Sequence, residues 1–200
     1  EIKGKWYVFY HRQTGVNEFS RQAMLEPIDV AMGRDGKLYI GDVKFLNGEP
    51  VASCPVEMTS QGAHINGLDA YKWISAGYAC HIHGGTARAY IKPVYCKDDD
   101  ISAPVTDISS GMTVGLRYLQ FGNNAPVGVN VILGTHKRVK VKLRLDSYRG
   151  RIAAELDFDE DEYEKSSKLY FGIVGKHAVY FEFISDEDGM IAEFDRFTFD

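Results

Sequence analysis

Along much of this chain apolar and polar residues alternate with a period of two, the spacing of a β-strand that turns one face to a core. Val127, Val129, Val131 and Leu133 alternate with small or polar neighbours, and Val139, Val141, Leu143 and Leu145 repeat the pattern. Arg138, Lys140, Lys142 and Arg144 fall on the opposite face of that second run. The next run sets Ile152, Ala154, Leu156 and Phe158 inward and Glu155 and Asp157 outward. Pairing these two runs as a hairpin puts basic beside acidic side chains, each cross-strand pair contributing about 0.2–1 kcal/mol. The basic stripe therefore has a structural explanation and need not be a polyanion site. Two last strands, around His177 to Ile184 and Ile191 to Phe199, flank an Asp188-Gly189 turn. Short strands at this spacing predict a β-sandwich over residues 87–200.

The N-terminal part reads differently. Gly4 to Arg12 carries Trp6, Val8 and Tyr10 on one face and Tyr7, Phe9 and His11 on the other, which predicts a strand covered on both sides. Phe19 to Ile28 reads as a second strand ended by Pro27, and Val30 to Val43 holds an Asp35-Gly36 turn between two β-like runs, a strong hairpin signal. Antiparallel strands joined by tight turns form a meander, the unit of a propeller blade. Residues 1–60 are thus expected to form one blade. From Asn47 to about Ala87 the chain is punctuated by Asn47-Gly48, Pro50, Pro55, Gly62, Asn66-Gly67 and Gly84-Gly85. Residues 61–86 read as a linker packed across two modules, or as a surface excursion of a single domain.

Composition agrees with an all-β chain. Val, Ile, Tyr, Phe and Thr number 16, 14, 12, 11 and 7, and 20 glycines supply turns. A net charge of -5 argues against nucleic acid as a partner, since phosphate contacts need a basic face. No apolar run approaches the roughly 18 residues of a membrane span, so no membrane partner is expected. Cys54, Cys80 and Cys96 cannot all pair within one chain and form no CxxC, which predicts neither a disulfide framework nor a structural zinc site. Cys80, His81 and His83 are metal-like in composition but lack a fourth ligand at the usual spacing. The chain starts at Glu1 and enters a strand pattern within three residues, as an internal fragment would.

Four segments, Gly4 to Arg12, Ser20 to Ile28, Pro55 to Ala63 and Ala76 to Gly85, resemble in order and spacing the C-terminal end of glycoside hydrolase family 43. Residues 87–200, with Gly175 to Phe183 and Glu193 to Phe199, resemble a family 6 carbohydrate-binding module, a jelly-roll β-sandwich. The resemblance implies the last blade of a five-bladed β-propeller with arabinofuranosidase or xylosidase activity, followed by an appended sandwich. It implies an inverting mechanism whose carboxylates stand roughly 6.5–9.5 Å apart and come from earlier blades, so no catalytic residue is expected in this chain. Plant arabinoxylan or arabinan, the rest of a propeller or a second copy of the chain are the implied partners, and an extracellular or periplasmic setting is favoured.

The resemblance also implies site residues. His11 matches a family histidine on the propeller axis near a divalent cation, usually calcium; a hard ion prefers oxygen, so His11 would contact its water shell. Arg21, with Arg12 as a second candidate, matches an arginine lining the sugar pocket, where a guanidinium donates bidentately to hydroxyls or a carboxylate. Read without the resemblance, His11 is a histidine hydrogen-bonded at a strand end and both arginines are surface residues. Family 6 modules clamp a sugar between two loop aromatics beside an asparagine. Here Glu193 falls at the asparagine, Arg196 replaces the usual tryptophan, and Val105, Thr106 and Asp107 stand before the strand that starts at Gly111, where an aromatic is expected. Tyr163, in the acidic run Asp157 to Glu164, is the remaining candidate platform. Asp195 matches an aspartate near a structural calcium, but Ala89 and Tyr90 replace the glutamates that would accompany it. These departures favour a sandwich that braces the propeller; the alternative is a non-catalytic module recognising xylan or arabinan.

Overall fold

A computed structural model describes residues 1–13, 21–34, 36, 38–40, 42–47, 49–54, 59–61, 64, 66–86, 88–92 and 103–200. The chain is all-β. At its start β1 (Trp6–Gln13) pairs antiparallel with β2 (Arg21–Ile28), in register from Trp6 opposite Ile28 to Gln13 opposite Arg21. β2 runs one residue beyond Pro27, which sits opposite Tyr7 in this two-stranded ribbon, where its missing N–H can face outward. β3 (Val30–Met32) and β4 (Leu38–Ile40) form the expected hairpin, with Gly36 at φ +77°; Asp35 itself lies outside the described residues. β5 (Asp42–Leu46) pairs with β6 (Glu49–Cys54) through a bulge between Lys44 and Phe45. The strand pairings of this region stay within three two-stranded ribbons among the described residues. Trp6 and Phe9, read as covered, are 42% and 68% exposed, because no second layer is packed over them among the described residues.

The segment that follows is woven into the sandwich. Ser60 and Gln61 donate their backbone N–H groups to the Arg117 carbonyl, and the Ser60 hydroxyl accepts from the Arg117 N–H at 3.2 Å. β7 (Leu68–Asp69), β8 (Ile74–Ser75) and β9 (His81–His83) then add short edge strands, with a 3-10 turn at Ala76–Tyr78. Leu68, Ala70, Ile74, Ala76 and Ala79 enter the core, so these residues belong to the sandwich energetically as well as by pairing.

The sandwich proper contains β10 (Tyr90–Ile91), β11 (Val105–Ser109), β12 (Met112–Gln120), β13 (Gly128–Gly134), β14 (Val139–Leu145), β15 (Ile152–Phe158), β16 (Glu164–Lys168), β17 (Lys176–Ile184) and β18 (Met190–Phe199). One sheet has the order β10-β11-β18-β13-β16, with β8 on β18; the other is β15-β14-β17-β12-β7, with β9 on β12. Apart from the β14–β15 hairpin, successive strands from β11 onward change layer. The Asp188-Gly189 turn likewise carries the chain from one sheet to the other, with Gly189 at φ +77°.

Alternation builds the core as expected: Val129, Val131, Leu133, Val141, Leu143 and Ala154 are fully buried. Val127 is the exception at 69% exposed, because it precedes β13 and its backbone N–H is spent on the Asp200 carbonyl. Phe181 joins the layers, its ring 4.8 Å from Phe194 and 4.7 Å from Phe197, and each such pair adds about 0.5–1.5 kcal/mol beyond area burial. On the outer face of β14 and β15, Lys140 sits opposite Asp157 and Lys142 opposite Glu155, with N–O distances of 3.3 and 4.0 Å. The basic stripe is matched by its acidic neighbour.

Candidate functional site

The end of β13 brings together two residues expected from the sequence. Glu193 lies opposite Gly134 in β18, and the Tyr163 carbonyl accepts the N–H of Leu133 at 2.9 Å. Tyr163 is 61% exposed, a free ring beside the strand end. Glu193 is half-buried, with the Lys92 ammonium 3.7 Å from its carboxylate. The ring can stack on an apolar sugar face, and across β13 from it the carboxylate and ammonium can accept from and donate to hydroxyls, which is the chemistry of half a saccharide site. The opposing wall differs: Val105 and Thr106 are buried in β11, so these side chains are spent on the core. The acidic run next to Tyr163 is tied to itself. Lys165 holds the Glu162 carboxyl below its usual range by a 2.7 Å hydrogen bond, aided by the Asp159 N–H, and His136 Nδ1 lies 2.6 Å from Asp161.

Asp195 has a different local cause. The β13–β18 ladder steps from Arg196 to Phe194, leaving Asp195 as the extra residue of a bulge. The irregularity lets Arg196 Nε donate to the Asp195 carboxylate at 3.0 Å, so a cation already faces the matched aspartate. Among the described residues no three His, Cys, Asp or Glu side chains gather as metal ligands. At the N-terminal ribbon, His11 is exposed opposite Ala23, Arg12 pairs with Gln22 and Arg21 with Gln13, which collects all three at one end of β1 and β2. The side chains of Arg12 and Arg21 lie outside the described residues.

A third cluster forms around His81. Its ring lies 6.0 Å from Tyr148 in a stacked arrangement, 5.6 Å from Tyr180 edge-on and 5.8 Å from His83. Gly115, opposite both His81 and Tyr180, makes room for the tyrosine, because a Cβ there would stand 2.5 Å from its ring. Cys80 donates to the Gly115 carbonyl and accepts from Arg117 Nε at 3.4 Å. Burial pushes the His81 pKa down, and Arg117 and His83 push it further the same way. The sequence marks Cys80, His81 and His83, but Arg117, Tyr148 and Tyr180 converge on them only through strand register, which leaves no trace in linear spacing.

No family model matches the chain. A xylosidase/arabinosidase of Thermoclostridium stercorarium is 26% identical over 198 residues, covering 92% of this chain and 38% of that protein. The chain thus spans well under half the length of this relative. A family 43 arabinoxylan arabinofuranohydrolase from Bacillus subtilis, solved with cellotetraose, superposes over 98% of this chain and 39% of its own, with a TM-score of 0.63 at 19% identity. A family 6 carbohydrate-binding module covers 67% of this chain and 96% of its own, with a TM-score of 0.53 at 21% identity. The sandwich has the family 6 fold. A family 6 module from Clostridium cellulolyticum, solved with xylose, gives the same TM-score at 19% identity, covering 66% of this chain and 99% of its own. Set against that fold, the family 6-like sandwich of this chain keeps the layers and places Tyr163 and Glu193 at one strand end, with buried side chains where a second aromatic is expected.

Proposed function

We propose that this chain is the C-terminal portion of a glycosidase that removes arabinofuranose or xylose from plant hemicellulose by inverting hydrolysis, and that its sandwich braces the catalytic module. The observation that carries the reading is a similarity to a xylosidase/arabinosidase that runs over 198 residues, across ribbons and sandwich together. The exposed rings of Trp6 and Phe9 support a closing sector whose flanking sectors cover them in the whole protein. Bracing is supported by the connecting segment, which is hydrogen-bonded to β12 from Ser60 onward and cannot act as a slack tether there.

In this reading the acid and base carboxylates stand on other sectors, and the 200-residue chain alone does not hydrolyse a glycoside. Arg21, and Arg12 beside it in register, donate to sugar hydroxyls or to a catalytic carboxylate and hold that group ionised. His11 is exposed at the same end of the ribbon, and in this reading it contacts the water shell of a calcium ion, since a hard ion prefers oxygen ligands. The test is turnover of aryl arabinofuranosides and xylosides by the full-length protein. His11→Ala and Arg21→Ala should each lower kcat/KM at least about tenfold, the loss of roughly 1.4 kcal/mol of transition-state stabilisation; unchanged activity in both would overturn their roles.

A second reading, binding of xylan or arabinan by the sandwich, is favoured by the exposed Tyr163 ring at the strand end that also carries Glu193. Calorimetric titration of the chain with xylo- and arabino-oligosaccharides separates the two. Heat that disappears in Tyr163→Ala supports binding, and its absence leaves bracing.

A further inference from the structure

We propose that β9 is an acid-released edge strand, docked on β12 at neutral pH and let go as His81 takes up a proton. The argument starts from an atom. His81 Nε2 is fully buried and has no hydrogen-bond partner among the described residues. A neutral ring tolerates this when the orphan nitrogen is packed against aromatic faces. An imidazolium does not, since it must place a charged N–H where nothing accepts it.

The described surroundings supply no compensating charge. His83 on the same strand and Cys80 just before it flank His81. From β12 comes Arg117, from β17 Tyr180, and from the turn after β14 Tyr148, whose other neighbour is the Arg149 guanidinium 5.1 Å from its ring. The carboxylate further along the same sheet face, Glu182, is engaged by Arg144 at 2.7 Å. Among the described residues, each charged or chargeable group named against the ring is thus cationic or neutral at acidic pH. Burial and Arg117 together make the bound ring less basic than a free one, as the geometry requires.

β9 is also poised to leave. It has three residues, pairs only with Thr113–Gly115 of β12 among the described residues, and is backed by the Cys80 N–H on the Gly115 carbonyl at 3.0 Å. Short edge strands sit at the low end of local stability. The released ring regains an ordinary pKa near 6.5, so the docked strand binds fewer protons than the open one. Docking is therefore full above about pH 6.5 and weakens as pH falls through that value, with the slope ending below the depressed pKa of the docked ring. One proton limits the effect to about tenfold per pH unit.

The experiment is amide hydrogen exchange on the whole chain between pH 5 and 8, expressed as protection relative to the unstructured rate. Protection of Cys80 to His83 should fall up to about tenfold per pH unit below 6.5 while Val131 and Phe197 stay constant, and His81→Phe should flatten the dependence. A flat profile in the unmodified chain, or the same slope in His81→Phe, overturns the proposal. Should the variant fold poorly, proton NMR of the His81 ring in the unmodified chain decides: a titration midpoint at or above 6.5 overturns it.

Discussion

The ribbons and the sandwich are built from the same kinds of residue and end in opposite conditions. In the sandwich, Phe181, Phe183, Phe194, Phe197 and Phe199 are 2% exposed or less, because two sheets close on each other. In the ribbons, Phe9, Met32 and Ile40 are 60% exposed or more, because each ribbon has two strands and no described second layer. Two strands cannot bury an apolar face on their own. Aromatic content therefore does not make a core; a second surface does.

The contrast can be broken in graded steps. Phe181→Ala should destabilise the sandwich by about 3–5 kcal/mol, the cost of a large cavity between layers, read from the midpoint of denaturant unfolding. The matching change Phe9→Ala should shift that midpoint by no more than about 0.5 kcal/mol; a comparable loss would mean that the ribbon is buried against something. Gly115→Ala forces a methyl into the Tyr180 ring and should cost about 1–3 kcal/mol, again in denaturant. If it costs nothing, the packing around His81 is looser than described. Lys140→Ala removes an ion pair whose side chains are 44% and 72% exposed, and should change stability by at most about 0.5 kcal/mol, less still in high salt.

How much of this was legible depends on the range of the interaction. The β14–β15 hairpin could be read because alternation and charge both lie within twenty residues: Lys140 meets Asp157 and Lys142 meets Glu155 as the pattern requires. The end of β13 was half legible. Family resemblance pointed to Tyr163 and Glu193, and strand register sets them on either side of that strand end, while the buried state of Val105 and Thr106 follows from packing. Two-residue strands such as β7 and β8 carry no periodicity at all. Glycines and prolines around them read as a packed linker, and Ile74 and Leu68 are buried because β12 and β18 offer them a strand to pair with, a partner that spacing does not reveal. The Asp195 bulge was invisible, since one extra residue in a ladder is a property of two strands. Arg117 and Tyr180 reach His81 for the same reason.

The exchange of layers at nearly each connection from β11 to β18 limits what can be removed from this protein. Apart from the β14–β15 hairpin, a truncation within residues 105–199 takes strands from both sheets, so a smaller contiguous piece leaves each layer without neighbours. Its strands must also find partners far away along the chain before any of them is sheltered, which is the circumstance that makes folding slow. A nascent chain would emerge with its first ribbons complete long before the last strand, β18, arrives to join β11, β13 and β8 into one sheet.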